Sequence, residues 1–115
     1  MAIQFNFLND QQKQDLWDFE NQHPNEVMLQ TTLNAFEGEE CIKMIIEAAG
    51  VIISIIELIM KLKKYSESKV PASAKKAEII VIASDGRKKC ILLENATYEE
   101  LETSLRYAMP PKNET

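Results

Sequence analysis

One histidine, two cysteines, three glycines and four prolines among 115 residues leave this chain poor in the residues that build common catalytic and metal sites. With His23 alone, any mechanism that needs two imidazoles is excluded, and a Ser-His or Cys-His pair would have to use a residue in a His-Pro turn. Cys41 and Cys90 stand far apart, outside any Cys-x-x-Cys spacing and away from His23, so no metal or redox motif exists. Both read as buried, reduced thiols. Scarce Gly and Pro beside 45% apolar residues exclude a collagen-like or wholly disordered chain. A net charge of −5 argues against binding to a phosphate backbone, which depends on clustered Lys and Arg. Ser84-Asp85-Gly86-Arg87 lacks the Gly-rich run and Lys of a phosphate loop. No cofactor and no metal are expected, and no enzymatic activity. Met1 leads into an alternating segment rather than a basic, then apolar, leader, so the expected location is cytoplasmic.

Ile3, Phe5 and Phe7 alternate with Gln4 and Asn6, the period of a strand with one face on a core. Asn9 or Asp10 can cap a following helix, with Gln12 at capping-box spacing from Asn9. That helix reaches about Asn21, turns Leu16, Phe19 and Trp17 inward, and ends at His23-Pro24-Asn25. Residues 26–33 alternate again and predict a second strand, against a helical reading of residues 26–36.

Residues 39–64 carry polar positions at Glu40, Lys43, Glu47, Ser54, Glu57, Lys61 and Lys64, with Gly50 completing steps of three and four. Such steps draw one polar stripe along an otherwise apolar α-helix, about 39 Å long at 1.5 Å per residue. Glu39, Glu40, Glu47 and Glu57 could imitate a paired-carboxylate site, but the stripe makes solvated charges of Glu40, Glu47 and Glu57. The longest uncharged stretch within this helix, Ala48 to Ile56, falls well short of the roughly 20 residues that cross a bilayer. Gly50, beside Ala48 and Ala49, invites close packing by another element.

Residues 65–77 have no apolar period and read as a flexible internal connection. Asp85-Gly86 between apolar runs predicts a hairpin of near-continuous apolar strands, covered on both faces or at an assembly surface. Thr97 and Glu100 open a last helix with Tyr98, Leu101, Leu105 and Ala108 inward. Pro110 and Pro111 stop it, and residues 110–115 form a frayed tail. Lys61, Lys63, Lys64, Lys69, Lys75, Lys76, Arg87, Lys88 and Lys89 make the second half basic within an acidic chain. An acidic protein surface suits them better than nucleic acid, because no aromatics are interleaved.

Together these readings predict one α+β domain over residues 1–109, in the order β-α-β-α-β-β-α, with a small sheet packed on a long apolar helix. A small sheet cannot cover so broad an apolar surface. At roughly 25 cal/mol per Å², a few hundred Å² left over would favour association by several kcal/mol before entropic losses. A homo-oligomer or an obligate protein partner is therefore expected, with Ala48, Gly50, Ile52, Ile53, Ile56, Ile59 and Met60 as the contact region. A self-assembling scaffold and a membrane-surface role for the same helix are the alternatives.

Four stretches in this order resemble the effector-associated constant component one family of bacterial conflict systems. They are the helix end Asp15-Leu16-Trp17-Asp18-Phe19-Glu20-Asn21-Gln22-His23-Pro24, the Gly-preceded apolar segment Gly38 to Lys64, the Asp-Gly hairpin Ile79 to Leu93, and the Glu- and Leu-rich helix Tyr98 to Ala108. The chain departs from the family in being rich in Ile and Lys rather than Ala and Arg, and in its longer linker before the hairpin. The resemblance implies a small non-catalytic accessory protein, encoded beside effectors such as peptidase-like proteins in prokaryotic immunity, and carries over no catalytic residue.

Overall fold

The computed structural model describes residues 1–33, 40–66 and 76–108, which form a five-stranded antiparallel sheet and three helices, an α+β fold. Alternation builds β1 (Ala2–Asn6), with Ile3 and Phe5 turned into the core. The strand stops one residue short of its alternation, where Phe7 takes a left-handed backbone conformation at φ 61°. Asn9 then caps α1 (Asp10–Gln22): its side chain accepts from the Gln12 N–H, and Gln12 Oε1 accepts from the Asn9 N–H, both at 2.8 Å. Leu16 and Phe19 bury the inner face of α1, and Trp17 packs at its margin. Past His23 and Pro24, Asn25 carries φ 71° through the turn, a conformation its short polar side chain tolerates. The strand reading of the next segment, not the helical one, is realised as β2 (Val27–Leu33).

Residues 39–64 do not form one helix. Glu40–Ile46 is a strand, β3; Ala49–Val51 is a 3₁₀ turn; and Ile52–Ser66 is helix α2. Residue 39 and the 34–38 segment before it lie outside the described residues. Positions 40, 43 and 47 imitate a helical step, yet β3 runs antiparallel between β2 and β1, with Met44 opposite both Leu29 and Ile3. From Ile42 to Ile45 burial alternates, with Ile42 and Met44 buried and Lys43 and Ile45 half-exposed, which is a period of two, although Cys41 before them is buried as well. Branched isoleucines favour this pleated surface, and a strand with neighbours on both edges satisfies its whole backbone. The order is therefore β-α-β-β-α-β-β-α, one strand more than expected. With 15 residues, α2 is about 22 Å long, not 39.

Although shorter, α2 is the centre of the core: Ile55, Ile56, Ile59 and Leu62 have no exposed surface, and Ile52 and Leu58 are buried beside them. The expected wet stripe survives along it at Glu57, Lys61 and Lys64, with Ser54 half-buried. Gln12 Nε2 donates to the Leu62 carbonyl at 2.9 Å, a buried tie between α1 and α2.

Most of the expected 65–77 connection, residues 67–75, lies outside the described residues, as does the expected 110–115 tail. β4 (Glu78–Ile82) and β5 (Lys88–Leu92) form the hairpin around Gly86, whose φ of 94° is open to glycine without strain. A 3₁₀ turn at Leu93–Asn95 leads to α3 (Tyr98–Ala108), where Thr97 Oγ1 accepts from the Glu100 N–H at 3.1 Å. Leu101, Leu105 and Ala108 face inward, but Tyr98 is exposed at the start of the helix. Nor is the hairpin covered on both faces: Ile80 and Ile82 are half-exposed, and Cys90 and Leu92 are exposed. Cys90 is thus a surface thiol rather than a buried one, Cys41 is buried, and no disulfide joins them. The sheet order is β2-β3-β1-β4-β5, with its helix-facing residues joined to α1, α2 and α3 in one hydrophobic cluster.

Candidate interaction face

Folding scatters the seven residues expected to form a contact region. Ile52, Ile56 and Ile59 lie inside the core and present no surface to a partner. Ala48 is half-buried, Gly50 is exposed in the turn before α2, Ile53 is 40% exposed, and Met60 is partly buried against the core. Nothing lies within 4 Å of where a Gly50 side chain would start, so the small residue accommodates no close neighbour. The broad apolar surface that argued for association was counted on a helix whose first half is a strand and whose second half is covered by α1, α3 and the sheet.

Among the described residues, a different surface is only partly covered. Because side chains alternate along a strand, the residues between the core positions share the face of the sheet opposite the helices. The register aligns them in rows: Met28, Ile45, Ala2, Ile82 and Lys88 across one end, and Gln30, Lys43, Gln4, Ile80 and Cys90 across the middle. Met28 is 41% exposed, Ile45, Ile80 and Ile82 are half-exposed, and Ala2 is tucked between Ile45 and Ile82. Leu92, 37% exposed, stands opposite Glu78 at the far end. An antiparallel sheet with a solvated face ordinarily carries polar residues there. Here the end row is apolar over four strands.

The far end of this face is polar and internally bonded. Gln4 Nε2 donates to Asn6 Oδ1 at 3.0 Å, Asn6 Nδ2 donates to Glu78 Oε2 at 2.9 Å, and Cys90 Sγ lies 3.7 Å from Glu78 Oε1. Desolvation first, and then the Glu78 charge and hydrogen bond, push the Cys90 thiol above its ordinary pKa. Lys43 and Lys88 form no ion pair among the described residues, so the apolar row is bordered by two cations with no local counter-charge.

The two edges of the sheet differ. β5 opens with Lys88 and Lys89, charges that discourage another strand from pairing. β2, Val-Met-Leu-Gln-Thr-Thr-Leu, carries no charge at all. Among the described residues it is guarded by Glu20 on α1, whose carboxylate accepts from the Leu29 N–H at 2.8 Å.

Two further clefts are lined by described residues. Between α3 and the hairpin, a cavity of about 330 Å³ is lined by Arg87, Lys88, Lys89, Ser104 and Tyr107 over Val81 and Ala83. Arg87 there pairs with Asp85 at 2.7 Å, and this turn's backbone and side-chain bonds from Arg87 hold the Asp85 carboxyl below its usual range. The second, about 270 Å³, lies between α1 and α2 and is acidic. Among the described residues no three His, Cys, Asp or Glu side chains are placed to share a metal ion, and no helix is long and apolar enough to cross a membrane.

Sequence reasoning missed Met28, Ile45, Ile80 and Ile82 as a set. The signal was present in the alternation of residues 26–33 and of the hairpin, where apolar residues stand at positions that a solvated face would fill with polar ones. Ile45 was hidden by the helical reading of its segment. No protein-family model, curated protein or solved structure matches this chain.

Proposed function

We propose that this chain is a non-catalytic adaptor that acts by protein–protein assembly with an effector, as its resemblance to conflict-system accessory proteins implies, and that the open sheet face is the docking surface. The observation that carries this reading is the apolar row Met28, Ile45, Ala2 and Ile82, in which Met28 is exposed and Ile45 and Ile82 are half-exposed, on the face of the sheet opposite the helices. Unpaired Lys43 and Lys88 beside the row suit a partner whose apolar strip is flanked by carboxylates, and opposite charge would set the register of docking. The surface differs from the contact region read from sequence, while the mode of action is the same. A membrane-surface role loses its premise, since it required an apolar helix of the full 39–64 length with its broad side outward.

Co-expression with a candidate effector drawn from the neighbouring genes tests the proposal. Wild-type chain should co-purify with that effector, Ile45→Glu or Ile82→Glu should abolish co-purification while leaving the far-ultraviolet spectrum intact, and Ile53→Glu on the helical side should not. Retention of the effector by both face variants would overturn the reading. A second reading, self-assembly, is favoured by the uncharged β2 edge, where strands of two copies could pair into one continuous sheet. Sedimentation separates the two: a stable monomer in dilute buffer removes the second and leaves the first.

A further inference from the structure

Arg87, Lys88 and Lys89 line the cavity between α3 and the hairpin, and among the described residues no carboxylate lines it. Three of the chain's 13 Lys and Arg residues thus meet in one concavity of a protein whose net charge is −5. Like charges this close repel unless opposite charge is interspersed. Here the pairing is incomplete. Asp85 accepts from the Arg87 backbone N–H at 3.1 Å and from Nε at 2.7 Å, a double hold that orients the side chain. Both terminal guanidinium nitrogens remain without a bond among the described residues. Lys89 Nζ lies 3.8 Å from Glu100, beyond hydrogen-bond reach, and Lys88 has no ion pair among the described residues.

The rest of the lining is apolar and aromatic. Val81 and Ala108 are buried and Ala83 is half-buried beneath the cations. The sequence interleaves no aromatic residue with 87–89, but the fold brings Tyr107 to them from α3. Tyr107 is 75% exposed, and among the described residues no ring or cation packs on it. The last carbonyl of α3, which would repel an anion, is already occupied: the Ser84 N–H donates to the Ala108 oxygen at 3.2 Å. At about 330 Å³ the cavity stands at the small end of the range that small-molecule ligands fill. A carboxylate would leave most of the positive charge unmatched. A phosphate monoester carries about −1.5 to −2 at neutral pH and accepts the forked bonds of a guanidinium, while a planar ring suits the free tyrosine face.

We propose that the cavity between α3 and the β4–β5 hairpin binds a small phosphate monoester with a planar ring, of the mononucleotide class, its phosphate held by Arg87 and Lys89 and its ring against Tyr107. Lys89 stands opposite the buried Val81, on the helix side of the hairpin, so the site lies away from the apolar row of the open sheet face. Lys88 borders both surfaces, and the test therefore leaves it unchanged. Failure of this site leaves the adaptor reading untouched.

The test is an amide-resolved nuclear magnetic resonance titration of the full chain with adenosine 5′-monophosphate, adenosine, ribose 5-phosphate and a short single-stranded oligonucleotide. The mononucleotide should give saturable shifts confined to α3 and the hairpin, and adenosine and ribose 5-phosphate should each bind more weakly. Combining Arg87→Gln with Lys89→Gln, both on exposed side chains, should weaken the mononucleotide by about tenfold or more, as expected for the loss of two charge-assisted partners. Lys61→Gln, which removes a cation from α2, should change nothing. Tyr107→Ala should weaken the mononucleotide and leave ribose 5-phosphate as it was, which separates the ring contact from general attraction of a phosphate to lysines. Absence of saturation, shifts spread over every basic segment, unchanged binding in the double variant, or ribose 5-phosphate binding as well as the mononucleotide would overturn the proposal. Tighter binding of the oligonucleotide than of the mononucleotide would overturn it in favour of an extended nucleic-acid surface.

Discussion

The Glu20 carboxylate on α1 accepts a hydrogen bond from the Leu29 backbone N–H on β2, at 2.8 Å. That bond occupies a donor on an edge strand that has no charge of its own. Glu20→Ala should cost about 1–2 kcal/mol in denaturant unfolding, the range for a partly exposed bond to a charged group. It should also raise concentration-dependent self-association in sedimentation, because the freed edge can accept a second strand. Unchanged association would show that the edge is blocked by something else.

Gln12 performs two tasks with one amide. Its oxygen closes the capping box on Asn9, and its nitrogen donates to the buried Leu62 carbonyl at 2.9 Å. Gln12→Glu keeps an acceptor for Asn9 but loses the donor and sets a carboxylate against a carbonyl oxygen. Although Glu is favoured at this capping position, the variant should lose about 1–3 kcal/mol of stability at neutral pH, the cost of a buried group left unsatisfied. Thermal or denaturant unfolding against wild type measures it.

Ile59 and Ile53 were equivalent as contact residues in the sequence and are opposites in the fold. Ile59→Ala should destabilise by about 2–5 kcal/mol, as for a large aliphatic side chain removed from a packed core. Ile53→Ala, at 40% exposure, should stay within about 0.5 kcal/mol of wild type. Equal losses would contradict the orientation of α2.

Cys90 is exposed, but desolvation and the nearby Glu78 carboxylate hold its thiol pKa above the ordinary value. The thiolate is the reacting form, so alkylation at pH 8 should be slower than for an unperturbed cysteine and should keep rising at more alkaline pH. Glu78→Gln removes a charge that opposes ionisation and should speed the reaction at pH 8. Mass spectrometry of the Cys90 adduct over time gives both rates.

Local features were legible in the sequence because they are decided within a few residues. The Asn9 and Gln12 cap, the Asp85-Gly86 turn, the Thr97 cap and the alternation of β1 and β2 all require only neighbours along the chain. The α+β class followed from them. The segment from Glu40 to Ile46 was different: its polar spacing fitted a helix, and only the presence of β1 on one side and β2 on the other made it a strand, by satisfying its backbone along both edges. That long-range pairing halved the supposed long helix and sent Ile52, Ile56 and Ile59 into the core. It also created the apolar row from residues as distant as Met28 and Ile82. Which residues are apolar was set by the sequence; which of them meet solvent was decided by strand pairing across the whole chain.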